Sequence, residues 1–151
     1  MSLADLLVPD GVLEIAGSTP AAVLAELAAP VARAHRMEPA RLVAALAERE
    51  KLGSTGVGDG VAIPHARVAG LAALAASFGR ARAGVDFRAV DGRPVRLFVA
   101  LLAPDQSAGQ HLQALARVSR MLKSAAFREA ALAAPDAAAL RQVLAAEEAK
   151  G

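Results

Sequence analysis

Apolar residues return every three or four positions toward both ends of the chain and follow a different rhythm between them. Val23, Leu24, Leu27 and Val31 share one face across residues 20–36, the spacing of an amphipathic helix. Ser18 or Thr19 supplies its N-cap and Pro20 its first position. Pro30 is placed to kink it. Leu42, Val43 and Leu46 mark a second helix over 38–50, opened by Pro39 and stopped by Gly53. Residues 107–123 carry Leu112, Leu115, Val118, Met121 and Leu122 on one expected face. A shorter helix covers 125–133, and another runs over 136–149 from a Pro135-Asp136 cap. Residues 3–7 form a single helical turn that ends before Pro9 and Gly11.

Between these segments the pattern reads as strand. Residues 12–15 alternate, residues 61–63 are a brief apolar run, and residues 95–102 are almost continuously apolar, as in a strand buried on both faces. Residues 71–82 are ambiguous: their alanines favour helix, whereas neighbouring strands would override that propensity. Asp91-Gly92 marks a turn. Helices, then strands, then helices describe an α/β or α+β layered domain. With no internal repeat and no linker-like stretch, residues 1–151 read as a single domain.

Composition narrows the function. Aromatics are 3% of the chain, with no Trp or Tyr, so stacking on nucleic-acid bases is not this protein's chemistry. The net charge is +2 and the basic residues are scattered, which leaves no footprint for nucleic acid. The absence of cysteine removes disulfides, thiolate metal sites and thiol catalysis and suits a reducing cytoplasm. The first residues, MSLADLLVPDG, have neither the basic nor the apolar region of a signal peptide. No apolar run is long enough to span a membrane.

Candidate chemistry is concentrated in EREKLGSTGVGDGVAIPHARV, residues 48–68, with glycines at 53, 56, 58 and 60. Glycines let a backbone approach a ligand closely, and Ser54, Thr55 and Gly56 among them suit an oxyanion nest. A plain turn between helix and strand has the same composition. The pattern is neither a Walker A loop nor a dinucleotide fingerprint, because no Gly-Lys-[Ser/Thr] follows and a helix precedes it. His65, after Pro64, is a neutral nucleophile at pH 7 if its lone pair is exposed, and beside an anion site it would accept a phosphoryl group. A lone histidine also serves as a capping or core residue. Arg49 has the fixed charge and bidentate fork that hold phosphoryl oxygens; it also suits a helix C-terminus. His111 is expected near a helix N-terminus, where anions are favoured. His35 reads as a surface residue.

These residues carry a resemblance. REKLGSTGVGDGVAIPHARV, FRAVDGRPVRLFVALLAPDQ and HLQALARVSRML together resemble, in order and spacing, three blocks of the enzyme IIA domains of the bacterial phosphotransferase system, fructose/mannitol type. Within that family the chain is most similar to the nitrogen-regulatory branch. The resemblance covers nearly the whole chain. It implies a single compact α/β domain, a mixed central sheet flanked by helices on both faces. It implies that His65 accepts a phosphoryl group from an HPr-type phosphocarrier, with Arg49 facing the phosphate, Ser54, Thr55 and Gly56 beside the phosphohistidine, and His111 as the supporting second histidine. It implies no metal or other cofactor. The implied partners are that carrier and either regulated target proteins or a separate enzyme IIB, in the cytoplasm. A sugar-specific enzyme IIA and a non-catalytic binding module of the same fold stay open beside the regulatory phosphocarrier. A metal site on His65 and His111 lacks a third ligand. Asp59, whose carboxylate would repel a phosphate, is expected to point to solvent.

Overall fold

In the computed structural model, which describes residues 2–150, six strands form one sheet with helices against both faces. In chain order, α1 (Leu3–Leu6), β1 (Leu7–Glu14), α2 (Pro20–His35) and α3 (Pro39–Lys51) precede three short strands, β2 (Gly56–Gly58), β3 (Val61–Ala62) and β4 (His65–Val68). The long strands β5 (Ala75–Val85) and β6 (Val95–Pro104) follow, then α4 (Ala108–Lys123), α5 (Ala125–Ala133) and α6 (Ala137–Ala149). The caps read from sequence are present: Thr19 Oγ1 accepts the Ala22 N–H and Asp136 accepts that of Ala139, each satisfying an orphan donor of the first turn.

The sheet is mixed, in the order β1-β5-β6-β3-β2, with β4 also on β6. β5 is antiparallel to β6, and β1, β3 and β4 run parallel to their neighbours β5 and β6. Phe98, Ala100 and Leu102 of β6 point into the core under α2 and α3. Leu97, Val99 and Leu101 point into the other core, under α4, α5 and α6. Alternate side chains of one strand thus feed two apolar layers, which is why residues 95–102 carry almost no polar position.

The structure departs from the sequence pattern in three places and settles the ambiguous residues 71–82 in a fourth. The first strand starts at Leu7, not at residue 12, and absorbs Pro9 and Gly11 in a register shift between Leu7 and Val12. β1 is an edge strand, where proline costs no ladder bond. Residues 71–82 are mostly strand: β5 lies between β1 and β6, and this pairing overrides the alanines. Strands β2 and β4 were not evident. Leu112 is 69% exposed, whereas His111, Ala114, Val118, Met121 and Leu122 form the buried stripe of α4. The inward face is rotated by one residue, which turns His111 toward the sheet.

Candidate functional site

β3 and β4 hold one register along β6, Val61 opposite Leu97 and His65 opposite Leu101. They are therefore one strand interrupted at Pro64, whose missing N–H breaks the ladder. Alternation sends Val61 and Ile63 into the core beneath α4 and carries His65 and Arg67 outward on the same face, His65 half-buried and Arg67 exposed. Ala66 and Val68 face the other core, beneath α3. The far edge of β4 has no partner strand among the described residues. Here α3 from one face and the first turn of α4 from the other enclose an open basin of about 620 Å³. Arg49 and Leu52 of the α3 end, His65 and Arg67 of β4, and Asp105 and His111 line it.

The His65 ring is fixed by one hydrogen bond, Nδ1 to the Ile63 carbonyl at 2.7 Å. A carbonyl only accepts, so Nδ1 carries the proton and Nε2 keeps its lone pair. Burial lowers the pKa of His65, the Ile63 carbonyl opposes that, and the Arg49 charge lowers it further. The ring is thus neutral and nucleophilic at pH 7. His111, the fourth residue of α4, is 8% exposed. Its ring lies 5.6 Å from that of His65 at 70°. Burial and then the nearby His65 and Arg67 lower its pKa. Among the described residues its buried Nε2 has no hydrogen-bond partner, which is costly unless a ligand atom satisfies it.

His65, His111 and Arg49, picked out by residue type, therefore share one basin. Arg49 stands in the last turn of α3, with Nη1 donating to the Gly53 carbonyl at 2.8 Å. The structure does not bring Ser54, Thr55 and Gly56 to the basin wall, because their polar groups are engaged within the chain. Ser54 Oγ donates to the Phe87 carbonyl at 2.6 Å and accepts the Gly56 N–H at 3.0 Å. Thr55 gives both its N–H and its hydroxyl to the Glu50 carboxylate. Asp59 is exposed and off the basin wall, its N–H bonded to Asp91. His35 is partly exposed in the last turn of α2.

Two residues were missed from sequence. Arg67 follows His65 by two positions and lies on its face only because residues 65–68 are strand; the alternation in His-Ala-Arg-Val was the available signal. Glu50 acts at a remove, and no local pattern marks it. It anchors Thr55, whose carbonyl accepts the Ile63 N–H at 3.1 Å, and the Ile63 carbonyl in turn holds His65. Among the described residues no group of three or more His, Asp or Glu is arranged to hold a metal ion, and no helix is long and apolar enough to cross a membrane.

Comparison with known proteins matches residues 12–147 to the family model described as phosphoenolpyruvate-dependent sugar phosphotransferase system, EIIA 2. The nitrogen regulatory protein of Bradyrhizobium diazoefficiens is 38% identical over 146 residues, 96% of this chain and 95% of that protein. The crystal structure of nitrogen regulatory protein IIA-Ntr from Neisseria meningitidis superposes with a TM-score of 0.86 at 33% identity, covering 94% of this chain and 98% of that one. The mannitol enzyme IIA of Escherichia coli, solved in complex with phosphorylated enzyme IIB, shares the fold at a TM-score of 0.76 and 18% identity, over 93% of this chain and 99% of that one.

Proposed function

The chain belongs to the enzyme IIA type 2 family of the phosphoenolpyruvate-dependent phosphotransferase system, among its nitrogen regulatory proteins, and from that premise we propose that it is a cytoplasmic regulatory phosphocarrier whose His65 accepts a phosphoryl group from an HPr-type carrier. The observation that carries this reading is the pair of histidine nitrogens: a neutral His65 ring with its Nδ1 proton held by Ile63, beside a buried His111 Nε2 without a partner.

The step balances as a displacement at phosphorus. The Nε2 lone pair of His65 forms the new N–P bond while the bond to the donor's histidine nitrogen breaks and its electron pair leaves with the donor ring. Forming the N–P bond makes the His65 ring cationic, and the Ile63 carbonyl stabilises that charge through the Nδ1 proton. Phosphoryl transfer passes through a loose transition state, so positioning and charge stabilisation carry catalysis. Arg49, which lines the basin, would face the equatorial oxygens, and His111 Nε2, as the protonated nitrogen, would donate to one of them. The phosphorylated histidine adds up to about two negative charges at an exposed edge, enough to change which regulated protein binds. A sugar-specific role, with a separate enzyme IIB taking the group onward, is the second reading, favoured by the 39% identity over 101 residues to the fructose-specific EIIA component of Haloferax volcanii.

Incubation with phosphoenolpyruvate, enzyme I and an HPr-type carrier tests the reading. One phosphoryl increment in intact mass, lost in mild acid and absent from His65→Ala, is the expected result. No increment with several carriers would refute it and favour a non-catalytic binding module.

A further inference from the structure

We propose that Arg67 is a second phosphoryl-binding cation, which closes over the group on His65 from the side opposite Arg49; this rests on the phosphocarrier reading. Arg67 lies two residues beyond His65 on the same face of β4 and lines the same basin. Residues i and i+2 of a strand are about 7 Å apart, a span the arginine side chain covers easily. Arg67 is exposed and makes no ion pair within 4 Å among the described residues, so nothing holds its guanidinium away from an incoming anion. Its charge already reaches His111.

The charge balance of the basin calls for such a residue. Glu48 and Asp105 line it with Arg49 and Arg67, and Glu50 stands close enough for its charge to act on His65. Glu50 is occupied by Thr55, and Arg49 already gives one N–H to the Gly53 carbonyl. Glu48 is paired with Lys51 at 2.9 Å, so without Arg67 the single charge of Arg49 would face the carboxylate of Asp105 and a phosphoryl group of about two further negative charges. With Arg67, cations from α3 and from β4 approach the phosphoryl group on two sides and His111 approaches from α4. Arginine suits this position because its planar fork presents two parallel N–H groups to two phosphoryl oxygens, whereas a lysine acts as a point charge without that fixed geometry.

The test compares wild type, Arg67→Gln and Arg67→Lys, each charged from a phosphorylated HPr-type carrier, with rapid quench for the rate and 31P NMR for the phosphohistidine. Because Arg67 is exposed, the glutamine variant is expected to melt with the wild type. Its rate should fall by roughly 10- to 100-fold, below the loss for a fully buried oxyanion donor because the residue is solvated. The 31P titration midpoint of its phosphohistidine should move up, since a cation favours the dianion. The lysine variant should recover the midpoint and only part of the rate. A glutamine variant within twofold of wild type, with an unmoved 31P midpoint, overturns the role of Arg67 while leaving the phosphocarrier reading intact. A wild-type protein that takes no phosphoryl group overturns both.

Discussion

Replacing Arg80 with methionine should cost about 3–4 kcal/mol of folding free energy, although it lies outside the basin. Arg80 is fully buried in β5. Its Nη1 donates to the Ala131 carbonyl at 2.7 Å and the Ala134 carbonyl at 2.6 Å, where α5 ends. Its Nε and Nη2 meet the Glu14 carboxylate at 2.7 and 3.1 Å. Methionine keeps most of the apolar stem but cannot donate, so the Ala131 carbonyl loses its partner and the Ala134 carbonyl keeps only a long contact to Arg82 Nη2 at 3.5 Å, at about 1–3 kcal/mol each. The lost ion pair adds little, about 0–1 kcal/mol, because Glu14 is 41% exposed and keeps Arg82 at 2.9 Å. Burial of the methionine head and release of the guanidinium desolvation cost offset about 1 kcal/mol.

Urea unfolding followed by far-UV circular dichroism measures the difference, since the chain has no Trp or Tyr to report by fluorescence. The melting temperature should drop by roughly 10 °C. Arg82→Met is the contrast: Arg82 shares Glu14 but is 57% exposed, and its loss should cost under about 1 kcal/mol. A pH signature accompanies this. The hydrogen bond from Arg80 holds the Glu14 carboxyl below the usual glutamate pKa, against its burial, with Arg82 assisting. A lowered folded pKa gives stability that is present above the unfolded value and lost as pH falls through the folded one. The gap between wild type and Arg80→Met should therefore narrow below about pH 4. An Arg80→Met loss under about 1 kcal/mol at pH 7 with an unchanged denaturant slope would refute the assignment of these carbonyl bonds.

Glu50→Ala should accept phosphoryl groups several-fold more slowly, because Thr55 loses both bonds to the carboxylate and, through Ile63, His65 loses its support; equal rates would sink that chain of bonds. Gly79→Ala should cost about 1–3 kcal/mol, since the new methyl would sit 2.7 Å from Ile15 Cδ1 and 3.0 Å from Leu27 Cδ2, and a urea midpoint equal to wild type would show that both side chains yield freely. His65 and His111 both have folded pKa values lowered mainly by burial, so the unfolded chain takes up protons first and stability should fall as pH drops below about 6.5. That slope should shrink in the His65→Gln/His111→Gln double variant, and an unchanged slope between pH 7.5 and pH 5.5 would contradict the lowered values.

The helices were legible because their caps and apolar spacing are local. Thr19-Pro20 and Pro135-Asp136 announce themselves within a few residues, and α2 and α6 begin there. The apolar runs of β3 and β6 could be read as strand, but β2 and β4 could not, because they are three and four residues long and lack such a run. They exist through pairing along β6 and between β2 and β3, information that no window of sequence contains. The same cause governed the site. His65, His111 and Arg49 could be chosen by residue type alone, whereas Arg67 needed the face of a strand that could not be seen. Leu112 looked inward because a leucine on a helix usually packs, yet His111 holds the buried position and Leu112 faces solvent.

The glycine-rich stretch shows why residue type and role can part. Gly58 and Gly60 have φ of +96° and +77°, a backbone that other residues adopt only with strain. They turn the chain between β2 and β3 so that Thr55 returns opposite Ile63. Gly56 is glycine because a Cβ there would meet that of Ala89 at 2.8 Å. The hydroxyls of Ser54 and Thr55 and the amides of Thr55 and Gly56 are engaged in keeping this hairpin in place. An oxyanion nest and a scaffold for a histidine have the same composition, since both need small residues, hydroxyls and positive φ. They differ in where the amides point. Here the amides of Thr55 and Gly56 are engaged within the chain and the Ile63 carbonyl is what reaches His65, so under the proposed function the loop would act on the phosphoryl group through the tautomer of His65. A substitution that loosens the hairpin should then alter the reactivity of the histidine before it alters affinity for a free anion.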